Sequence, residues 1–353
     1  MKRCNNCLNP STRPRVYIDK EGICSVCRLI EKNKHTARGN RARKDEIKKI
    51  RDWGIKNTKS NYDCIVTVSG GKDSIRQAFY VRDELKMNPL LVSSQYPPEQ
   101  VLERGTKNLE MLINHGFDCI SISVNPVIYK RLMKESFINY RNIFTAAEMA
   151  LYGLPIHVAI AEHIPLVFLG ENPVLTIGEK HGKLDGDASK MRFSNTIKDG
   201  SGIFVSKKVT RQNMHFYTYP SEEDVNHAKI RIIYLGYYIP NWSGWNNGQF
   251  ALRKGLITRK DNPKNTGDLW GLSALDDDFR IVNQYLKFLK YGFGHVTDQV
   301  MERIHANKMS KKEAIKLVNK YDGKCDKKYI KKFCNYIEIT EEQFWTVANK
   351  INR

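Results

Sequence analysis

The feature that most constrains the fold is a β-branched run that leads directly into a glycine-rich loop. Residues 62–68, YDCIVTV, are typical of a strand buried on both faces of a parallel sheet. The loop that follows consists of Ser69, Gly70, Gly71, Lys72, Asp73 and Ser74, and a helical pattern begins at its end. A strand, a glycine-rich loop and a helix in this order predict an anion site at the start of the helix.

The residue types in the loop indicate that the anion is the phosphate chain of a nucleotide. Two adjacent glycines let the backbone turn tightly and direct its amide hydrogens inward, and Ser69 and Ser74 add hydroxyl donors. Lys72 can neutralise phosphate charge. Asp73 would be repelled by bare phosphate, so we expect it to bind Mg²⁺ carried by the nucleotide. An ordinary glycine-rich turn is the alternative interpretation, and the six-residue string in this setting favours phosphate.

Strands and helices continue to alternate after the loop. Further strands are predicted at residues 89–94, 117–124 and 164–169. This alternation predicts a doubly wound parallel sheet with ligands at the carboxyl ends of its strands. Gly170, Glu171 and Asn172 follow the last of these strands, so we expect them to meet Mg²⁺, an adenylate or the acceptor. A loop that only caps the sheet is the alternative.

Four cysteines near the N-terminus have the spacing of a metal site. Cys4, Cys7, Cys24 and Cys27 form C-x2-C-x16-C-x2-C, in which two knuckles can converge on one tetrahedral ion. The pattern predicts a zinc ribbon with a structural Zn²⁺, because four thiolates leave no open position for substrate. Disulfides are the alternative, and a reducing compartment argues against them. The remaining cysteines are interpreted as small buried apolar residues: Cys64, Cys119, Cys325 and Cys334.

The net charge of +20 is concentrated at the start of the chain. Residues 1–60 hold 17 Lys and Arg against 6 Asp and Glu, an excess that attracts polyanions or an acidic partner. General solubility explains the same charge equally well. No apolar run is long enough to span a membrane, and no apolar stretch follows the first residues as in a secretory signal. We therefore expect a cytoplasmic protein.

The order of these features divides the chain into four predicted segments. They are a zinc ribbon at 1–34, a basic helical linker at 35–60, an ATP-binding α/β domain at 61–220 and a mainly helical C-terminal region at 221–353.

The loop and several distant motifs resemble known families. The string SGGKDS resembles the pyrophosphatase loop of the PP-loop ATPases, the adenylating branch of the HUP-type α/β folds. Residues 4–14, 21–27, 170–173, 287–298 and 321–323 are similar to segments of the N-acetyl sugar amidotransferases of the WbpG/PseA type. The resemblance covers nearly the whole chain, and the segment KFLKYGFGHVTD at 287–298 is its most specific part. Many members of that family have Arg where this chain has His295.

That resemblance implies a fold, a reaction and partners. The fold is a HUP-type doubly wound sheet with an N-terminal zinc ribbon and a C-terminal helical region. The reaction adenylates the N-acetyl group of a nucleotide-activated bacterial surface sugar, and ammonia then displaces AMP to leave an acetamidino group. The sugar is a nonulosonic acid, such as pseudaminic or legionaminic acid, or a diacetamido-uronic acid, used in O-antigen and lipopolysaccharide. ATP and Mg²⁺ drive the reaction, and a separate glutaminase with a barrel-type partner supplies the ammonia.

Other residues are weaker candidates. Asp298 is a candidate catalytic residue, although Thr297 could be only the N-cap of a helix there. His181 and Asp185 are candidates for a mobile loop over the site, and the tryptophans of residues 241–247 could stack on a sugar or base or could belong to the core.

The main alternative function is a tRNA-modifying PP-loop enzyme such as a thiolation enzyme. The ribbon, the loop and the charge all fit it, but the ATP domain lacks a Cys-x-x-Cys pair. A nonenzymatic zinc-ribbon nucleic-acid binder is a third class, and it leaves the phosphate loop unexplained.

Overall fold

The computed structural model describes residues 1–32, 37–170, 185–191 and 204–350. The chain forms two compact units, each made of separate stretches of sequence. The ribbon unit comprises Met1–Asn33, Tyr129–Thr145 and Thr258–Arg353, and the sheet unit comprises Lys34–Ile128 and Ala146–Ile257.

Five parallel strands form the centre of the sheet unit. They are β1 (Cys64–Val68), β2 (Pro89–Gln95), β3 (Cys119–Ser123), β4 (Leu166–Leu169) and β5 (Arg231–Tyr234), in the order β3-β2-β1-β4-β5. The chain runs outward from β1 through β2 to β3 and then returns to the other side of β1 as β4. The switch point of the sheet therefore lies between β1 and β4, and their carboxyl ends are where this architecture binds ligands.

The helices are described here in chain order. They are α1 (Ser25–Lys32), α2 (Ala37–Asn57), α3 (Lys72–Phe79), α4 (Glu103–Asn114), α5 (Pro126–Tyr140), α6 (Thr145–Ala161), α7 (Glu222–His227), α8 (Gly244–Arg253), α9 (Pro263–Thr266), α10 (Phe279–Tyr291), α11 (His295–His305), α12 (Lys311–Tyr321), α13 (Lys327–Tyr336) and α14 (Glu341–Ala348). A π-helical turn, Tyr80–Glu84, continues α3, and 3₁₀ turns occupy Gln212–Tyr217 and Leu235–Tyr237.

The sheet confirms the doubly wound α/β fold predicted from the sequence. All five residues of β1 are buried, as expected for a central strand covered on both faces. The prediction missed β5, which lies within the region 221–353 that was expected to be, and is, mainly helical. It is the last strand of the sheet, paired with β4 on one side and joined on the other only by a bridge between Ile233 and Asp187 in the described residues; it has four residues and begins with a half-buried Arg231. A strand that short and polar at its start gives no clear period-2 signal.

The ribbon unit joins the beginning of the chain to its end. The four cysteines pack with Val16, Val26 and Met301, and Leu8 packs with Val296 and Val300 of α11. A second cluster of aromatic rings joins α5, α10, α13 and α14 through Phe137, Phe279, Phe333 and Phe344. The ribbon is thus one wall of a helical core. The division of the chain into four consecutive segments, made from the order of the motifs in the sequence, stays a prediction.

Candidate functional site: the phosphate loop and the cysteine cluster

The loop after β1 has the backbone that an anion site needs. Gly70 has φ +74°, and a Cβ on it would lie 3.1 Å from both the Gly105 oxygen and the Leu109 nitrogen, so only glycine fits without strain. Gly71 is the N-cap of α3. Because it has no side chain, the cap leaves the amide hydrogens of the first turn to a ligand or to water.

Ser74 holds the loop in its folded shape. Its hydroxyl donates a hydrogen bond to the Gly71 oxygen at 2.9 Å and accepts one from the Ser69 amide at 3.3 Å. Ser74 is buried. Ser74 was predicted to donate a hydrogen bond to phosphate. In the structure its hydroxyl also links the end of the loop to its beginning.

Lys72 and Asp73 form the charged part of the loop. The Lys72 ammonium contacts Asp73 Oδ2 at 2.6 Å, and the Asn247 side-chain amide donates to Asp73 Oδ1 at 2.8 Å. The Asp73 side chain is 41% exposed, whereas Asn247 is buried. A half-exposed carboxylate next to a cation at a helix N-terminus can serve a Mg²⁺–phosphate group.

The carboxyl ends of β4 and β5 meet the same part of the sheet unit. The Gly236 amide donates to the Gly170 oxygen at 3.0 Å, which links the residues that follow these two strands. The indole of Trp242 lies against Gly236, where an added Cβ would be 2.8 Å from the ring, and Ser243 then caps α8. Asn247 reaches the loop from that helix. Sequence reasoning singled out residues 241–247 for their tryptophans and missed Asn247, whose partner lies 174 positions away.

Of the other predicted site residues near the sheet, the structure describes only Asp185. Glu171, Asn172 and His181 lie outside the residues that the structure describes. Asp185 lines a cavity of about 320 Å³ together with Arg231, the first residue of β5. Glu46, Asp187, Ile233 and Tyr238 complete that lining. Burial, together with the nearby Glu46 carboxyl, raises the pKa of Tyr238 well above its ordinary value.

The four predicted metal-binding cysteines converge in the ribbon unit. Their sulfurs lie within 4.8 Å of one another and all four residues are buried. Cys4 Sγ is 3.9 Å from Cys27 Sγ, and Cys7 Sγ is 3.6 Å from Cys24 Sγ. A tetrahedron with metal–sulfur bonds of about 2.3 Å has edges of about 3.8 Å. The cysteines therefore fit one tetrahedral ion, and these distances are too long for disulfide bonds.

Donors around the sulfurs suit thiolates. The Cys24 and Asn6 amides donate to Cys4 Sγ at 3.2 and 3.4 Å. His305, from the last turn of α11, places Nε2 3.3 Å from Cys27 Sγ. The C-x2-C spacing gave no signal for His305, which lies 278 positions from its partner. His305 contacts the sulfur of Cys27 without being one of the four predicted metal ligands, and such a contact can orient a ligand.

Asp298 is the centre of an ion-pair cluster in the ribbon unit. It pairs with Arg13 and, at 2.5 Å, with Lys287, and Arg13 and Lys287 both lie over the ring of Phe293. Burial alone would raise the pKa of the Asp298 carboxyl, but Lys287, Arg13 and His295 lower it well below its usual range. The carboxylate thereby joins the ribbon to α10 and α11. A catalytic role for Asp298 stays a prediction.

The N-terminus of α11 does not support the alternative interpretation of Thr297 as a helix N-cap. The N-cap is Gly294, and Thr297 is the third residue of the helix. The Asp322 carboxylate performs the capping, since it accepts hydrogen bonds from the Gly294 amide at 2.9 Å, the Thr297 amide at 3.2 Å and the Thr297 hydroxyl at 2.6 Å. A Cβ on Gly294 would lie 2.7 Å from Asp322 Oδ1. The two motifs GFGHVTD and YDG are therefore parts of one contact.

The cysteines of the sheet unit are poorly placed for chemistry at the loop. Cys64 is the first residue of β1 and Cys119 the first of β3, so both lie at the amino ends of strands. Burial raises the pKa of each thiol. The phosphate loop lies at the opposite end of β1. Neither cysteine is positioned as the thiolate nucleophile of a thiolation reaction.

The sheet unit is a doubly wound five-stranded parallel sheet with the SGGKDS loop at its switch point, an arrangement that resembles the PP-loop α/β folds, and the ribbon unit holds a four-cysteine cluster. A family model described as "LPS biosynthesis protein WbpG-like, C-terminal domain" matches residues 274–353. This match supports the resemblance to WbpG-type proteins on the part of the chain that holds α10 to α14.

Two individual proteins are also similar to the chain. Over 125 residues it is 27% identical to "Uncharacterized protein MJ1599" of Methanocaldococcus jannaschii, and the match spans 33% of this chain and 43% of that protein. A solved structure of U34-tRNA thiolase NcsA from Methanococcus maripaludis with its 4Fe–4S cluster has a TM-score of 0.28 and 13% identity, with 87% of each chain covered. At that TM-score the similarity carries no structural argument. In the part of the chain that the structure describes, no helix is both long and apolar enough to cross a membrane.

Proposed function

We propose that this chain is an ATP-dependent amidotransferase that converts the N-acetyl group of a nucleotide-activated bacterial surface sugar into an acetamidino group. The observation that carries the proposal is the WbpG-like match at 274–353 in a chain that also has the SGGKDS loop. That family description concerns lipopolysaccharide biosynthesis, and the loop suits nucleotide phosphates. The presence of a WbpG-like segment and a phosphate loop in one chain favours a sugar acceptor that is activated by ATP. A reaction on nucleotide sugars with ATP belongs to the cytoplasm.

The proposed reaction proceeds in two balanced steps. The acetamido oxygen attacks the α-phosphorus of ATP, the bond to the β-phosphate oxygen breaks, and pyrophosphate leaves. Ammonia then adds to the activated carbon, and AMP departs with the former acetamido oxygen. An amide oxygen is a poor leaving group, and adenylation makes it a good one. The amides of the loop and Lys72 stabilise the negative charge of the departing pyrophosphate.

Two metals belong to the proposal. Mg²⁺ would be held by Asp73 together with the nucleotide, and it would supply charge neutralisation at the phosphates. Zn²⁺ would be held by Cys4, Cys7, Cys24 and Cys27. The compact sulfur cluster favours a single ion, because an iron–sulfur cluster spreads its four thiolates over two or four irons and holds the sulfurs farther apart. Four thiolates give a closed shell, so this ion is structural.

Ammonia is proposed to come from a separate glutaminase with a barrel-type partner. In this chain the cysteines outside the metal cluster are partly or fully buried. Burial raises the pKa of Cys325 to about 12 and that of Cys334 to about 11, which makes both poor nucleophiles.

The proposal is tested with ATP, Mg²⁺, a high concentration of ammonium and a panel of nucleotide-linked N-acetyl sugars. The expected result is sugar-dependent release of AMP and pyrophosphate, with a product in which NH replaces one oxygen. ADP as the nucleotide product would refute adenylation. No AMP release with any sugar, together with AMP release that depends on tRNA, would instead support the tRNA-modifying alternative. The placement of Cys64 and Cys119 argues against thiolation within that alternative.

A further inference from the structure

We infer that Asn247 is a positioning residue that holds the Asp73 carboxylate ready for the metal–nucleotide complex. This inference rests on the proposed function, because it assigns Asn247 to the same ATP site. It begins with the contact of 2.8 Å between the Asn247 side-chain amide and Asp73 Oδ1. Asn247 is 1% exposed, so its amide donor has been removed from water and depends on this acceptor.

The two oxygens of Asp73 are used differently. Oδ1 faces the neutral amide of Asn247, whereas Oδ2 faces the Lys72 ammonium at 2.6 Å. Lys72 and Asp73 are the first two residues of α3, where a phosphate would attract the lysine. In the proposed complex Lys72 would turn from Oδ2 toward the phosphates, and Oδ2 would then be the oxygen available to hold the divalent ion. Asn247 keeps Oδ1 in place throughout.

The helix that carries Asn247 is itself fixed at the edge of the site. Ser243 caps α8 by accepting a hydrogen bond from the Asn246 amide at 3.1 Å, and the Asn247 amide donates to the Ser243 oxygen at 2.9 Å. Just before the cap, the Trp242 ring lies against Gly236, and the Gly236 amide donates a hydrogen bond to the Gly170 oxygen after β4. The donor therefore approaches Asp73 from an element anchored to the carboxyl ends of β4 and β5.

Direct binding of nucleotide to the full-length protein tests the inference without any acceptor. Titration calorimetry is run with ATP in excess Mg²⁺ and with ATP in EDTA, for the wild type, Asn247→Ala and Asn247→Leu. Loss of a hydrogen bond to a carboxylate should weaken MgATP binding by about tenfold or more. Binding of metal-free ATP should change by less than about threefold, because phosphate contacts to the loop remain.

The matched control is Asn246→Ala. Asn246 is the exposed neighbour in α8, and its side chain donates to the Asn241 oxygen rather than to the loop. It should bind MgATP like the wild type. In the wild type, the side-chain amide signal of Asn247 in a ¹⁵N spectrum should stay in its hydrogen-bonded position when MgATP is added, a readout that needs no variant to fold.

The possible failures are distinct. If the wild type binds MgATP and both Asn247 variants show the same preference for MgATP over ATP, the positioning role is wrong and the proposed function stands. Movement of the Asn247 amide signal to a solvent-like position on MgATP binding would overturn the inference as well. If the wild type binds no MgATP, the proposed function itself fails.

Discussion

Asp73 is the residue on which most of the proposed chemistry depends. It is the one acidic side chain of the SGGKDS string, it contacts Lys72, and it receives a hydrogen bond from Asn247. Asp73→Ala should reduce AMP formation at least about a hundredfold, because the charge that holds the metal–phosphate group is lost. Its half-exposed position means that the fold should remain, as measured by the circular dichroism spectrum.

Asp83→Ala is the matched control for Asp73→Ala. Asp83 also pairs with the basic residue before it, Arg82, at 2.7 Å, and its side chain is 42% exposed. It lies in the π-helical turn after α3 and outside the loop. Wild-type rates are expected for this variant. Full activity of Asp73→Ala would remove Asp73 from the site.

At the scale of elements, the contact between Asp322 and α11 explains why two separated motifs occur together. The Asp322 carboxylate is buried and accepts three hydrogen bonds at the start of that helix. Asp322→Ala should lower the free energy of unfolding by about 2 kcal/mol or more, because it removes a charged cap and leaves buried donors unpaired. Urea unfolding followed by helical circular dichroism measures this loss.

Asp326→Ala provides the comparison for that cap. Asp326 is the N-cap of α13, where its side chain accepts one hydrogen bond, from the Lys328 amide at 2.9 Å. An ordinary cap of this kind is worth about 1 kcal/mol. Equal decreases in the free energy of unfolding for Asp322→Ala and Asp326→Ala would contradict the special role assigned to Asp322.

At the scale of the whole molecule, the cysteine cluster is predicted to stabilise the C-terminal helices. The cluster shares a core with Met301, and Leu8 beside it packs on Val296 and Val300. Removal of the metal by a chelator, or Cys24→Ser, should therefore release zinc and increase amide hydrogen exchange in α11 and α12 as well as in residues 1–32. Cys119→Ser, in an edge strand of the sheet unit, should leave the metal content unchanged. Unchanged metal in Cys24→Ser would refute the site.

Local features of the sequence predicted local structure well. The buried β1 and the glycines of the loop are patterns of a few adjacent residues, and the four cysteines lie within one short stretch of the chain, so these patterns indicated the structure directly. The ribbon unit could not be predicted, because Arg13 meets Asp298 and Leu8 meets Val296 only after the ends of the chain pack together. Asn247 was missed for the same reason, and β5 because a four-residue edge strand has too few positions to show a period.

The most direct test of the central claim is the fate of the acetamido oxygen. A nucleotide sugar with ¹⁸O in its N-acetyl carbonyl is incubated with the protein, ATP, Mg²⁺ and ammonium, and the AMP is analysed by mass spectrometry. We predict that ¹⁸O appears in the phosphate of AMP in proportion to the amidine formed. Amidine formed with unlabelled AMP, or with ADP as the nucleotide product, would contradict it.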